Sequence, residues 1–124
     1  MNQNLFKVKG TYVNGMWFNE PKTYEVINPS NNSVLAKIPV SSNEELELAV
    51  QSATKAQKEW AKVSISKRAD LILKLCSRIE DRVEEFALMD TYNAGNAITF
   101  ARKDVLQAVA NMKYFAGLVR EVKG

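Results

Sequence analysis

The spacing of apolar and polar positions changes character near residue 42. Upstream, short runs of β-formers alternate with turn residues. Thr11–Phe18 reads TYVNGMWF. Asn14-Gly15 between β-formers is the strongest short hairpin signal, because both turn positions require φ > 0. After the Pro21-Lys22 interruption, Tyr24–Ile27 and Val34–Ile38 predict two more strands, with Pro29-Ser30-Asn31-Asn32 turning between them. Two successive hairpins follow from this pattern. Tyr12, Trp17 and Phe18 are placed to cover one face of the first.

Downstream of Ser42 the period becomes helical. Ser42 followed by Glu45 fits a capping box, in which hydroxyl and carboxylate each satisfy a backbone N–H at the helix start. Leu46, Ala49, Val50, Ala53, Ala56 and Trp60 then recur at 3.6-residue spacing. Ser64 predicts a second cap, with Ile65, Ala69, Ile72, Leu73, Cys76, Ile79 and Val83 on one face. That pattern continues, or breaks gently, into a segment carrying Phe86, Ala87 and Met89. Gly95 is placed to stop it, since glycine tolerates the left-handed cap conformation. A last helix carries Ile98, Ala101, Val105, Val109, Met112, Phe115 and Val119. The chain alone therefore reads as α+β: two β-hairpins over 1–41, then three to four mostly amphipathic helices over 42–124. Trp60, Phe86 and Phe115 fall on the apolar stripes and are expected in the core.

Composition sharpens this only where it excludes something. At 124 residues the chain is the size of one domain. If its own elements close a core, it should bury roughly two thirds of its unfolded surface. A net charge of +3, with acids interspersed among the 17 basic residues, leaves no charge block of the kind that marks a nucleic-acid tail. No nucleic-acid or membrane partner is expected. The N-terminus has no apolar signal core, and no uncharged stretch approaches the ~18 apolar residues of a membrane span. With one cysteine there is no intramolecular disulfide, and the chain is expected to be cytoplasmic. There is no histidine, which excludes His-based triads and His-based zinc sites.

Candidate chemistry is sparse. Cys76 is the obvious nucleophile, but a reactive thiol needs a helix N-terminus, a metal or nearby cations. Cys76 stands mid-helix in register with Leu73 and Ile79, so a buried structural thiol is expected. The pairs Glu80-Asp81 and Glu84-Glu85 lie on a polar face and read as solvated. The five glycines form neither GxGxxG nor GxxxxGK, so no phosphate loop is expected.

The stretches YVNGMW, VINPSNNSVLAKIPVSS, EELELAVQSATKAQKEW, SKRADLILKLCSRIE and MKYFAGLVREVKG together resemble the start of an aldehyde dehydrogenase. The family pattern is similar in order and spacing. A Y-I-N-G-x-W-like hairpin and an N-P turn lead to a capped helix ending in Trp. An R-x-x-x-L-x-K/R helix and a Y-[YF]-A-G segment follow. The resemblance runs from Thr11 to Gly124. It implies an α/β aldehyde dehydrogenase-like fold of which this chain supplies the N-terminal part, within the cofactor-binding domain.

For the parent protein, the resemblance implies oxidation of an aldehyde to a carboxylic acid with NAD or NADP. A cysteine thiolate attacks the aldehyde, hydride passes to the cofactor, and a glutamate-activated water hydrolyses the thioester. The family's catalytic cysteine, glutamate and asparagine and its dinucleotide loop match no position here. No catalytic or cofactor-binding residue is assigned, Cys76 is not at the nucleophile position, and the chain alone is expected to be inactive. The resemblance also implies a monovalent cation near the N-P turn, held by the backbone carbonyls of Val26, Ile27 and Asn93. The family often has aspartate at the Asn93 position and K-P beyond Gly95, where this chain has Asn96-Ala97; a carbonyl ligand requires no particular side chain. Gln107 and Asn111 match the last helix, which lines the substrate entrance, and two amides there suit a small or polar aldehyde. With the nucleotide-binding sheet encoded elsewhere, apolar helix faces should stay uncovered and drive a homo-oligomer. The competing reading is a free-standing, non-catalytic module for self-association or interaction.

Overall fold

A computed structural model describes residues 5–19 and 21–119. The chain divides into two compact units, Met1–Lys62 and Val63–Gly124. The first holds four strands and a helix; the second holds three helices. The architecture is the α+β arrangement of two hairpins and then helices.

In the first unit, β1 (Thr11–Val13) pairs antiparallel with β2 (Met16–Phe18), placing Tyr12 opposite Trp17. Asn14 and Gly15 have φ of 49° and 82°, the double left-handed geometry of a tight hairpin turn. The Tyr12 and Trp17 rings lie 4.9 Å apart, yet both stay more than half exposed. The second hairpin joins β3 (Thr23–Ile27) to β4 (Val34–Pro39), with a register shift between Val26 and Ile27. Asn28 organises the connecting turn. Its Oδ1 accepts from the Ser30 N–H at 2.9 Å and its backbone N–H donates to the Ser33 carbonyl at 2.8 Å. These bonds explain why an asparagine side chain is buried there.

α1 (Asn43–Trp60) starts at the expected capping box. Ser42 Oγ accepts from the Glu45 N–H, and Glu45 Oε2 accepts from the Ser42 N–H, each at 3.1 Å. The helix packs against β1. The stripe assigned to its core face is not covered: Leu46, Val50, Ala53, Ala56 and Trp60 are exposed and only Ala49 is half-buried. Helical spacing identified an apolar face, but among the described residues of this unit no layer closes over it.

In the second unit, α2 (Ile65–Glu80) begins at Ser64, whose Oγ accepts from the Lys67 N–H. It ends at Asp81, and α3 (Val83–Ala94) follows. Val83 therefore belongs to α3 and not to the α2 stripe. Gly95, at φ 78°, caps α3 and donates its N–H to the Thr91 carbonyl at 3.0 Å. α4 (Ile98–Leu118) packs against both α2 and α3, and Val119 is its cap rather than a helical position.

The core of this unit is made of small side chains. Ala69 and Cys76 of α2, Ala87 of α3, and Ala101, Val109 and Ala116 of α4 are buried. Small residues let helices approach closely but remove little area from water. Of the large residues expected inside, Ile72, Ile79, Ile98, Val105 and Met112 are half-buried, whereas Phe86 is 39% and Phe115 67% exposed. Two ion pairs tie the helices together at their edges. Arg102 grips Glu84 with two nitrogens at 2.6 and 2.9 Å, and Lys113 reaches Glu80 at 2.7 Å. Glu80 and Glu84 are thus partnered, not merely solvated.

Candidate functional site

Cys76 is fully buried, and its thiol points at the Val109 carbonyl oxygen, 4.0 Å away. It lies in mid-helix against apolar neighbours, without the exposure or the electropositive setting that a nucleophilic thiolate needs. Among the described residues, no group of three or more His, Cys, Asp or Glu could hold a metal ion.

The Gln107 and Asn111 pair does come together. Both are exposed on α4, and Gln107 Nε2 donates to Asn111 Oδ1 at 3.0 Å. The Gln107 carbonyl and the Asn111 amide group stay available for a second molecule. Helical spacing puts Phe100, Tyr114 and Leu118 on the same face, and all three are exposed. Sequence reasoning passed over Phe100 and Tyr114; counting in steps of three and four from Gln107 would have found them. The result is a wall of aromatic surface with two amides in it. It can hold and orient an organic molecule through ring faces and amide hydrogen bonds.

The proposed cation ligands lie in different units. Val26 and Ile27 flank the register shift in β3, where ladder pairing is interrupted. Asn93 is in the last turn of α3, so its carbonyl is one of the four that lack a helical N–H partner. Each is an oxygen of the type that hard cations accept.

Electrostatics in the second unit centre on α3. The Arg102 hydrogen bond holds Glu84 below the usual carboxylate range, and Arg82 does the same to Glu85. Both acids are fully committed to these arginines, which suits bracing and not proton transfer.

A sequence model of the aldehyde dehydrogenase family matches residues 17–124. The chain belongs to the aldehyde dehydrogenase family. It is 33% identical over 116 residues to an aldehyde dehydrogenase-like protein of Schizosaccharomyces pombe, covering 93% of this chain. It is 35% identical over 117 residues to the long-chain-aldehyde dehydrogenase of an Acinetobacter species, covering 91% of this chain. The chain spans 23% of the length of each of these relatives. Its fold is similar to that of a point variant of betaine aldehyde dehydrogenase from Staphylococcus aureus solved with NAD+. The TM-score is 0.87 and the identity 25%, over 95% of this chain and 25% of that one.

The described residues do not fit a dinucleotide. A pyrophosphate needs a glycine-rich turn from a strand into an open helix N-terminus. The one strand-to-helix junction among the described residues, β4 to α1, is closed by the Ser42 capping box. Glu44 and Glu45 put carboxylates there, and Glu45 Oε1 is buried without a partner. Negative charge at that point repels phosphate. All four described strands are in antiparallel hairpins, so no strand–helix–strand crossover cradles a nucleotide.

Proposed function

We propose that this aldehyde dehydrogenase family chain acts as the N-terminal segment of an NAD(P)-dependent enzyme that oxidises an aldehyde to a carboxylic acid, and is inactive alone. The observation that carries this reading is the family match over nearly the whole chain, combined with a single cysteine buried away from any substrate. Residues 1–124 then form the N-terminal part of the cofactor-binding domain, in a cytoplasmic enzyme. The α4 wall around Gln107 and Asn111 borders the substrate entrance. NAD+ in the Staphylococcus aureus relative supports the nicotinamide cofactor, which the remainder of such an enzyme would hold.

The test is direct. The purified 124-residue chain, given NAD+ or NADP+ and a panel of aldehydes, should show no reduced cofactor above a protein-free blank and no cofactor binding by calorimetry. Turnover abolished by Cys76→Ser would overturn the reading. The exposed apolar residues on α1 and α4 favour a second reading, a free-standing non-catalytic module that self-associates. Sequencing the gene beyond codon 124 separates the two: a glycine-rich loop and a later cysteine in frame support the enzyme, and a stop codon supports the module.

A further inference from the structure

The turn of the first hairpin carries a reactivity that the fold does not use. Asn14 and Gly15 form the two-residue loop between the paired Val13 and Met16, and both are exposed. Glycine after asparagine leaves the backbone nitrogen unhindered. Beyond its chain neighbours, no heavy atom lies within 4 Å of where a Gly15 Cβ would stand. Among the described residues, the Gly15 N–H donates to no acceptor and the Asn14 carboxamide meets no partner.

The second hairpin supplies the contrast. Asn32 is also exposed and left-handed, with φ 56°. Its follower Ser33 carries a side chain, and the Ser33 N–H is held by Asn31 Oδ1 at 3.0 Å. Asn31 is followed by an N–H that donates to the Asn28 carbonyl at 2.9 Å. Asn28 is followed by Pro29, which has no N–H. Of these hairpin-turn asparagines, Asn14 alone has a free and unhindered nitrogen beside its carboxamide.

We propose that Asn14 is a self-modification site, at which the chain deamidates and forms isoaspartate. The Gly15 backbone nitrogen gives its proton to hydroxide and attacks Asn14 Cγ. The N–Cγ bond forms, the Cγ–Nδ2 bond breaks, and Nδ2 leaves as ammonia after taking a proton from water. Water then opens the cyclic imide. Attack at Cγ returns aspartate; attack at the main-chain carbonyl carbon leaves Gly15 joined through Cγ, as isoaspartate. Ring closure requires the Asn14 backbone to rotate out of its left-handed turn. A ribbon of two three-residue strands is marginal in water and opens readily, so the fold slows the step without blocking it.

Isoaspartate does more than add a negative charge. It brings Cβ into the main chain and lengthens a loop whose two residues set the Val13–Met16 pairing. Tyr12 and Trp17 then lose their 4.9 Å contact. The change reaches α1, because β1 packs against that helix and Thr11 Oγ1 hydrogen-bonds Ser41 Oγ at 3.0 Å, beside the Ser42 cap. The product presents the free main-chain carboxylate that isoaspartyl-methylating enzymes recognise. The inference stands on this turn and not on the family reading.

Ageing tests it. The full 124-residue chain is held in mildly alkaline buffer, sampled over days and read by peptide mass mapping, with isoaspartate counted by enzymatic carboxyl methylation. Asn14 should convert at least about tenfold faster than Asn32. The aged chain should lose the Tyr12–Trp17 ring-current shifts seen by NMR. Asn14→Gly retains a residue suited to positive φ and should age with neither change. Freshly made Asn14→Asp carries the charge without the longer backbone and should keep the shifts. Gly10→Ala, whose Cβ would meet the Phe18 carbonyl oxygen, opens the hairpin and should speed Asn14 conversion severalfold. Conversion of Asn14 no faster than that of Asn32 would overturn the proposal, as would an unchanged rate in Gly10→Ala. Loss of the shifts in aged Asn14→Gly or in fresh Asn14→Asp would also overturn it, as would isoaspartate that accumulates while the shifts persist.

Discussion

Cys76 offers a quantitative probe of the second unit, because its thiol reports how often the unit opens. It is completely buried, and Val109 is the other large side chain buried to the same degree. A thiol reagent reaches it only through opening, so the labelling rate measures the opening free energy. An opening free energy of about 4 kcal/mol, below the usual range for whole domains, slows labelling roughly a thousandfold relative to chain unfolded in urea. Val109→Ala then sharpens the test. Removing two methyl groups forfeits about 1.6 kcal/mol of transfer free energy. An incompletely collapsed cavity raises the total to about 2–3 kcal/mol. Cys76 should therefore be labelled some 30- to 150-fold faster in Val109→Ala. Leu71→Ala, on the exposed face of the same helix as Cys76, should change the rate less than about threefold. The assay is the second-order rate with an aromatic disulfide. Wild-type labelling at the unfolded rate would refute burial. Equal rates in wild type and Val109→Ala would refute the coupling of the two side chains in one core.

Three further outcomes follow from local geometry. Ser42→Ala removes the hydroxyl that accepts the Glu45 N–H and should lower stability by about 1 kcal/mol, with loss of α1 helicity seen by circular dichroism. Glu84 and Glu85 have folded pKa values depressed by their arginine hydrogen bonds, so they add stability above the unfolded carboxylate pKa and lose it as pH falls through the folded value; melting temperature should drop across that acid range, less so in Glu84→Gln. Gly10→Ala should disrupt the first hairpin, because at φ 115° a Cβ would meet the Phe18 carbonyl oxygen and approach Asn19 Oδ1 to 2.8 Å; loss of Tyr12–Trp17 ring-current shifts by NMR is the readout, and an unchanged spectrum would contradict it.

Features set by a few adjacent residues were legible in the sequence. The Asn14-Gly15 turn, the Ser42–Glu45 box, the Ser64 cap and the Gly95 stop each depend on one or two side chains and their own backbone. The boundary at Asp81 was blurred because no glycine or proline marks it, and the apolar period resumes on its far side. Trp60, Phe86 and Phe115 were misplaced for a different reason. Periodicity shows that a face is apolar, but whether it is covered depends on neighbours that the period does not encode. At the candidate site, Gln107 and Asn111 came from the family resemblance, and the hydrogen bond between them is one that i, i+4 spacing allows. Phe100 and Tyr114 beside it were passed over because neither falls on the apolar stripe that the period picks out. The Val26, Ile27 and Asn93 carbonyls came from family resemblance, since a backbone oxygen leaves no mark in residue identity.

The distribution of side-chain size then explains how the fold and the family reading meet. The fully buried side chains of the second unit's three helices are alanines, a cysteine and a single valine, with Ile72, Ile79, Val105 and Met112 half-buried. Such contacts fix helix positions closely but bury little apolar area. Most of the larger apolar side chains, such as Phe100, Tyr114, Phe115, Leu71 and Leu75, face outward. Each would contribute roughly 1.5–3 kcal/mol on full burial, so covering two or three of them outweighs any one alanine contact within the unit. The favourable free energy still available to this chain therefore lies on its outer faces. Whatever occupies them, whether the remaining length that its relatives have or a second copy, binds the folded state and stabilises it by mass action. The helices form a closely spaced frame that presents many of its large side chains outward, which fits the proposed place of this chain within a larger protein.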